Sequence, residues 1–182
     1  TRKESSAASD VYKRQAVASL RSLSASDKRE PALKLFTEVV GQPTFPEDAL
    51  KRIKNQLLAG FEYEKQNPGK IAGKTLFANL YGQHPYASPS DGTAESIPGI
   101  TLAQLRTFHG KAYAAGNAVI ALVGDLSRGE AEAIAAQVSA GLPKGAALAK
   151  PEQPVEPKPG TTHIDFPSKQ THLMLALSLI HI

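Results

Sequence analysis

The sequence predicts an α+β fold in which helices cover a sheet. Five stretches carry apolar residues at the spacing of an amphipathic helix, and four shorter stretches have the alternation or the apolar composition of strands. The chain shows no internal repeat, and 41% of its 182 residues are apolar, which is enough to form a core. Helices packed on one sheet would bury both kinds of element.

The first two predicted elements are a strand and a helix. Residues 16–23 alternate between two faces, which is the pattern of a strand. The next stretch, near 31–40, places four apolar side chains on one helical face and is followed by Gly41 and Pro43, which favour a helix end. Those four side chains are Leu33, Phe36, Val39 and Val40.

Two further helices are predicted at about 46–65 and 69–81. Pro46 suits the first helical position, and the acids Glu47 and Asp48 suit the positive end of the helix dipole. Asn67-Pro68 separates the two helices. The apolar stripe of the first helix consists of Leu50, Ile53, Leu57, Leu58 and Phe61, and that of the second of Ile71, Leu76, Phe77 and Leu80.

The next part of the chain is predicted to contain a long polar loop, a helix, a strand and another helix. The loop, NLYGQHPYASPSDGT and its continuation to about Gly99, is dense in Gly, Pro and Ser. Thr101-x-x-Gln104 and Ser127-x-x-Glu130 have the capping-box spacing, which predicts helices over 102–114 and 128–140. Residues 117–124 are nearly all apolar and too few for a typical helix, so they indicate a buried strand.

The segment beyond the last predicted helix reads as a linker that leads into a second domain. Residues 143–160 are rich in Pro and Lys, which favours an extended linker. THIDFP and THLMLAL beyond it have the composition of strands. We therefore expect one domain over 16–142, a linker over 143–160, and the start of the next domain over 161–176.

Two end stretches are predicted not to belong to the natural protein. DVYKRQ (10–15) and LSLIHI (177–182) can be encoded by one DNA element read in opposite orientations. That element resembles the transposase end used to prepare sequencing libraries, and SSAASDVYKRQ (5–15) resembles the adapter arm in front of it. We expect residues 1–15 and 177–182 to be translated adapter outside the fold, and the natural gene to have been cut at both ends.

Composition excludes several function classes. Without the two end stretches the chain has 17 basic and 15 acidic side chains, a net charge of +2, which gives no indication of nucleic-acid binding. The absence of cysteine excludes disulfides, thiolate metal sites and a Cys nucleophile. No stretch approaches the roughly 18 consecutive apolar residues of a membrane span. No Ser/His/Asp set is suggested by spacing.

The order of four segments resembles the insulinase-like (pitrilysin, M16) zinc peptidase family. The segments are PTFPEDALKRIKNQLL, NPGKIA, LYGQHPYASPSDGTAESI and ITLAQLRTFHGKAYAAGNAVIALVGDLS, and the resemblance covers about residues 16–176. It implies an incomplete LuxS/MPP-like metallohydrolase-type domain, a sheet covered by helices. It also implies a clamshell of two halves that encloses peptides, and a bacterial periplasmic location.

The resemblance implies a zinc site that this chain does not complete. Catalytic members carry HxxEH on a helix, where two histidines bind Zn²⁺ and the glutamate is the general base, and a distant Glu is the third ligand. HxxEH does not occur in the chain. The third-ligand Glu aligns with Gly60, and a second acidic position aligns with Ile53. We therefore predict no catalytic, cofactor-binding or metal-binding residue in this chain; Glu62 and Glu64 would point elsewhere on the helix.

The remaining polar candidates are more often structural than functional. For His84 we weigh a metal ligand or a base against a residue that shapes a loop, and favour the loop. His109 is predicted to be a solvated or capping imidazole, and His163 and His172 to lie on strands without an acidic partner. Residues 124–130 lack the phosphate-loop pattern. The acidic and basic side chains of the second helix are predicted to form a solvated face: Lys51, Arg52, Lys54, Glu62 and Glu64.

These observations favour a non-catalytic M16 subunit or half that helps a zinc-bearing partner to enclose peptides. One alternative is a catalytic M16 peptidase whose HxxEH lies upstream of residue 16. Another is an α+β binding module outside the family. The sequence upstream of residue 16 would distinguish the first two.

Overall fold

Five α-helices form the regular structure of the computed structural model, which describes residues 16–177. Three one-turn 3₁₀ helices lie between them, at Pro85–Ala87, Ile97–Gly99 and Ala115–Asn117. In chain order the α-helices are α1 (Ser26–Gly41), α2 (Glu47–Glu64), α3 (Pro68–Tyr81), α4 (Leu102–Ala112) and α5 (Arg128–Gly141).

All five predicted helices are confirmed, with α1 longer than expected. Its first turn is closed by the N–H groups of Lys28 and Arg29, which both donate to the carbonyl of Ala25. The helix therefore begins five residues before Pro31 and contains this proline. The sequence pattern placed the start near 31 because the apolar spacing begins only at Leu33.

Local sequence signals explain where α3, α4 and α5 begin. The side chain of Asn67 accepts a hydrogen bond from the N–H of Lys70, and Pro68 occupies the first turn of α3. Both predicted capping boxes are present: Thr101 with Gln104 begins α4, and Ser127 with Glu130 begins α5. Each box satisfies N–H groups that a helix start leaves without an intrahelical partner.

The prediction of an α+β fold is wrong for residues 16–177, which contain helices and no strand. The predicted strands 16–23, 162–167 and 171–177 have no regular secondary structure there, and neither has 117–124 beyond Asn117, the last residue of a 3₁₀ turn. Residues 117–124 are also not buried, since Val119 and Val123 are 96% and 99% exposed. An apolar run indicates preference for burial, but a strand also requires a neighbour to pair its backbone, and these segments have none among the described residues.

The described residues divide into two compact units. One unit comprises 51–99 and 151–177, and the other comprises 16–50 and 100–150. The predicted domain boundaries at 142 and 160 stay predictions, and the predicted adapter stretches lie outside the described residues except for Leu177. None of the described helices is both long and apolar enough to span a bilayer.

The unit of 16–50 and 100–150 is organised by the packing of α1 against α5. Its core consists of Leu33 from α1 with Ile134 and Val138 from α5, and three partly buried side chains surround it: Phe36, Ile120 and Leu126. Val39, predicted on the same face as Leu33, is 61% exposed. Gly41 ends α1 and Gly141 ends α5, and the two helix ends lie close together. A Cβ on Gly41 would clash with the carbonyl of Gly141, and a Cβ on Gly141 would clash with the side chain of Thr37 in α1.

The unit of 51–99 and 151–177 has fewer buried apolar side chains. Phe61 of α2 and Ile97 of the following 3₁₀ turn are buried, and Ile53 on the predicted apolar stripe of α2 is 49% exposed. The 3₁₀ turn at Pro85–Ala87 packs against α3.

Candidate functional site

His84 caps the start of the 3₁₀ turn Pro85–Ala87, and both of its ring nitrogens make hydrogen bonds. Its Nδ1 accepts a hydrogen bond of 3.2 Å from the backbone N–H of Tyr86. Because Nδ1 accepts, the ring proton of neutral His84 lies on Nε2, which donates to the carbonyl of Glu152 at 2.9 Å. This arrangement leaves neither nitrogen free to bind a metal or to take a proton from a substrate, and it agrees with a role in shaping the loop.

Aromatic rings surround His84. Its ring meets that of Tyr86 edge-on at 4.6 Å between centroids, and the ring of Tyr81 lies 6.2 Å away. Tyr81 in turn stacks on Phe77, which extends the cluster along α3. Aromatic pairs at these distances favour particular ring orientations, so they support the orientation in which His84 makes its two hydrogen bonds.

The two acids nearest to His84 in sequence do not form a site with it. Asp91 is exposed. The pKa of Glu95 is lowered, chiefly by a hydrogen bond from Thr93, then by its own backbone N–H, with a smaller contribution from the charge of Lys65. Glu95 therefore belongs to the local turn 93–96, where Thr93 and Ser96 also bond to each other.

His109 is a capping imidazole, one of the two roles predicted for it. From α4, its Nε2 donates to the carbonyl of Val40 at 2.7 Å. That carbonyl lies in the last turn of α1, where carbonyl groups lack intrahelical partners. The ring stacks on Tyr113 at 4.9 Å and meets Phe45 edge-on at 5.7 Å, so it joins α4 to the end of α1.

His163 has an acidic partner, contrary to the prediction. Its Nε2 lies 3.1 Å from a carboxylate oxygen of Asp165, two residues further along the chain. Both side chains are almost fully exposed, so solvent screens the pair and its contribution to stability is small. His172, the other histidine predicted on a strand, is exposed.

Gly60 and Ile53 lie on α2, where the resemblance would require acids. A Cβ built on Gly60 meets no atom within 4 Å, so this face of the helix is open. The neighbouring acids are used elsewhere, since Glu62 pairs with Lys65 at 2.7 Å and Glu64 with Lys74. Within residues 16–177 no three His, Asp or Glu side chains converge as a metal site, so the described residues do not fit zinc.

The predicted solvated face of α2 is partly engaged in tertiary contacts. Lys54 donates to the carbonyl of Pro98 at 2.9 Å, which ties α2 to the 3₁₀ turn at Ile97–Gly99. Glu64 is only 26% exposed, and its partner Lys74 lies over the ring of Phe61 at 5.3 Å from the centroid. Lys51 and Arg52 are exposed, as predicted.

The turn over residues 124–130 is a helix start and not a phosphate loop. The carboxylate of Glu130 accepts from the backbone N–H of Ser127 at 3.0 Å and from its hydroxyl at 2.7 Å. Arg29 of α1 donates to the same carboxylate at 3.3 Å. These contacts, in that order of importance, lower the pKa of Glu130 below its usual value. The carboxylate of Glu130 is therefore itself the anion that the N-terminus of α5 binds.

The hydrogen bonds from His84 to Glu152 and from Arg29 to Glu130 were not predicted. The first joins residues 68 positions apart and the second joins residues 101 positions apart. In the first, the acceptor is a backbone carbonyl, which every residue possesses, so no sequence signal points to it.

A family profile described as the peptidase M16 inactive domain matches residues 99–179. This stretch includes α4, α5 and the Pro-rich segment, but not Gly60. A solved structure of a peptidase M16 inactive domain from Pseudomonas fluorescens is 77% identical to this chain. It superposes with a TM-score of 0.74 over 75% of this chain and 33% of that one.

Two curated relatives differ in what their names say of catalysis. The non-peptidase homologue YmxG of Helicobacter pylori is 31% identical over 53% of this chain and 22% of its own length. An uncharacterised zinc protease of Mycobacterium leprae is 26% identical over 81% of this chain and 34% of its own length. The chain therefore spans about a third or less of the length of these relatives. Residues 99–179 match the inactive domain of the M16 peptidase family, which agrees with the resemblance found in the sequence.

Proposed function

We propose that this chain is part of a non-catalytic M16 subunit or half, which helps to enclose peptide substrates together with a zinc-bearing partner. The observation that carries the proposal is Gly60. It lies on an open face of α2, where catalytic members of the family are expected to supply a carboxylate to zinc. A residue without a side chain has no ligand to offer.

The similarities to known proteins support the same proposal. The solved neighbour is described as an inactive domain, and one relative is described as a non-peptidase homologue. A non-catalytic half would contribute binding surface rather than chemistry. We accordingly assign no step of peptide hydrolysis to the described residues.

The alternative is a catalytic M16 peptidase whose HxxEH motif lies upstream of residue 16. The names of the mycobacterial relatives, which call them zinc proteases, favour it. It requires that the third zinc ligand be a residue other than the one at position 60. The codons that precede residue 16 in the natural gene distinguish the two proposals, since only the alternative requires HxxEH there.

Reconstitution tests the non-catalytic proposal directly. The full-length protein and a zinc-bearing M16 protein from the same organism would be purified separately and assayed alone and together on unstructured peptides. We expect substantial hydrolysis only by the mixture, and none when the glutamate of the partner's HxxEH is replaced by Gln. Chelator-sensitive hydrolysis by this protein alone would overturn the proposal.

We further propose a bacterial periplasmic location. It rests on the family resemblance alone, and fractionation of cells that express the full-length protein tests it. Recovery with the cytosolic marker would overturn it.

A further inference from the structure

Two hydrogen bonds and one close approach join residues 151–172, a segment that begins within the Pro-rich stretch, to α3 and the turn that follows it. His84 donates to the carbonyl of Glu152 at 2.9 Å, and the side chain of Asn79 donates to the hydroxyl of Thr162 at 2.9 Å. Near the start of the helix, Nδ1 of His172 lies 3.5 Å from the position that a Cβ would take on Gly69. All three contacts lie within the unit of 51–99 and 151–177.

The order of the contacts gives the direction of the segment. Its residues 152, 162 and 172 meet positions 84, 79 and 69 in turn, so the segment runs back along α3 towards the helix start. Ten residues of α-helix rise about 15 Å, whereas ten extended residues reach about 33 Å. The bends at 167, 169 and 170 take up the excess chain length between the last two contacts.

Polar contacts dominate the attachment of this segment. Between 151 and 172 only Pro151, Pro154 and Phe166 are partly buried, and the other residues are exposed. A segment that buries so little apolar surface can detach locally without unfolding of the helix beneath it. The hydrogen bond from His84 is the first of these contacts along the segment, and its donor is the ring that packs against Tyr81 and Tyr86.

We propose that residues 151–172 form a detachable strap along α3, and that His84 is the clasp which fastens the start of the strap. When Nε2 donates to the Glu152 carbonyl, the strap is closed. When that hydrogen bond opens, the chain around the Glu152–Gln153 peptide bond is free to leave α3 and to take the extended conformation that a protease binds. The clasp thereby determines how often the start of the strap, up to the next hydrogen bond at Thr162, is free to move.

Endoproteinase Glu-C provides the test, because the bond it would cut is formed by the carbonyl that His84 binds. The other glutamate in the strap, Glu156, is followed by Pro157 and resists this enzyme. Full-length protein and the variants His84→Ala and His84→Asn would be digested briefly, and the peptide ending at Glu152 quantified by mass spectrometry. Cleavage by way of local opening follows the population of the open state.

The His84→Asn variant distinguishes the loss of the hydrogen bond to Glu152 from the loss of the hydrogen bond that caps the turn. Asn is a good N-cap residue, so it can accept from the N–H of Tyr86, but its side chain is too short to replace Nε2 at Glu152. We expect both variants to increase the initial rate of cleavage after Glu152 by about fivefold, the effect of one lost hydrogen bond. His84→Asn should retain the thermal midpoint of the wild type.

His163→Ala is the matched control, because His163 lies in the same strap and its ring pairs with Asp165, which belongs to the strap itself. We expect it to be cleaved after Glu152 at the wild-type rate. The clasp proposal is wrong if His84→Asn is cleaved after Glu152 no faster than the wild type, whatever the result for His84→Ala.

Discussion

At the scale of single residues, the described side chains mostly serve the structure. His84 and His109 each donate from Nε2 to a carbonyl that is distant in sequence, and aromatic rings hold both imidazoles. The sequence placed His84 in a Gly- and Pro-rich loop and His109 on a helix, which sufficed to favour structural roles. It could not identify the two acceptor carbonyls, because every residue has a backbone carbonyl and no residue type marks the one that accepts.

The close approach of α1 and α5 depends on glycine. A Cβ on Gly141 would clash with the Cγ2 methyl of Thr37. That methyl cannot rotate away cheaply, because the hydroxyl on the same carbon donates to the carbonyl of Leu33 at 2.8 Å. We predict that Gly141→Ala lowers the free energy of unfolding by about 1–3 kcal/mol, the usual effect of overpacking, as measured by urea denaturation.

Two further variants control that prediction. Thr37→Ser removes the methyl and keeps the hydroxyl, so it should recover part of the loss when combined with Gly141→Ala. Gly60→Ala adds a Cβ in open space on α2 and should raise stability by up to about 1 kcal/mol, through helix propensity. If Gly141→Ala and Gly60→Ala had the same effect, close helix contact would not be the reason for the glycine at 141.

At the scale of elements, the sequence predicted helices well and strands poorly. A helix satisfies its own backbone, so the capping boxes at Thr101 and Ser127 and the Asn67-Pro68 start suffice to locate three helices. A strand depends on a partner, which composition does not reveal. The apolar run 117–124 was therefore assigned to a buried strand that the structure does not contain.

The start of α5 should make stability depend on pH. The pKa of Glu130 is lowered in the folded protein by Ser127 and Arg29. A depressed carboxyl pKa stabilises the fold above the unfolded pKa of about 4.3, and this contribution is lost as pH falls from there through the folded pKa. We predict that Glu130→Gln reduces the loss of stability below pH 4.3, as measured by urea midpoints over a pH series.

Glutamine is a suitable replacement because it can retain the capping box without titrating. Glu132→Gln is the matched control, since Glu132 lies on the same helix and pairs with the exposed Arg128. The account of this helix start fails if Glu130→Gln and the wild type lose stability in parallel as the solution is acidified.

At the scale of the whole molecule, the similarity to the M16 family was predictable from sequence, whereas the role of the chain within that family is our proposal. The ordered segments from PTFP to GDLS identified the M16 family, and the match over 99–179 agrees with it. The zinc question depends on residues that must converge in space. Spacing could show that Gly60 supplies no ligand, but it could not show which residues meet in three dimensions.

The most direct test of the non-catalytic role is the zinc content of the full-length natural protein. The protein would be purified without a metal-binding tag, dialysed against metal-free buffer and analysed by inductively coupled plasma mass spectrometry, with its peptidase activity measured on the same sample. Because Gly60 supplies no ligand, we predict that zinc is far below one ion per chain and that the protein alone has no peptidase activity. One zinc per chain, together with chelator-sensitive hydrolysis of peptides, would contradict the account.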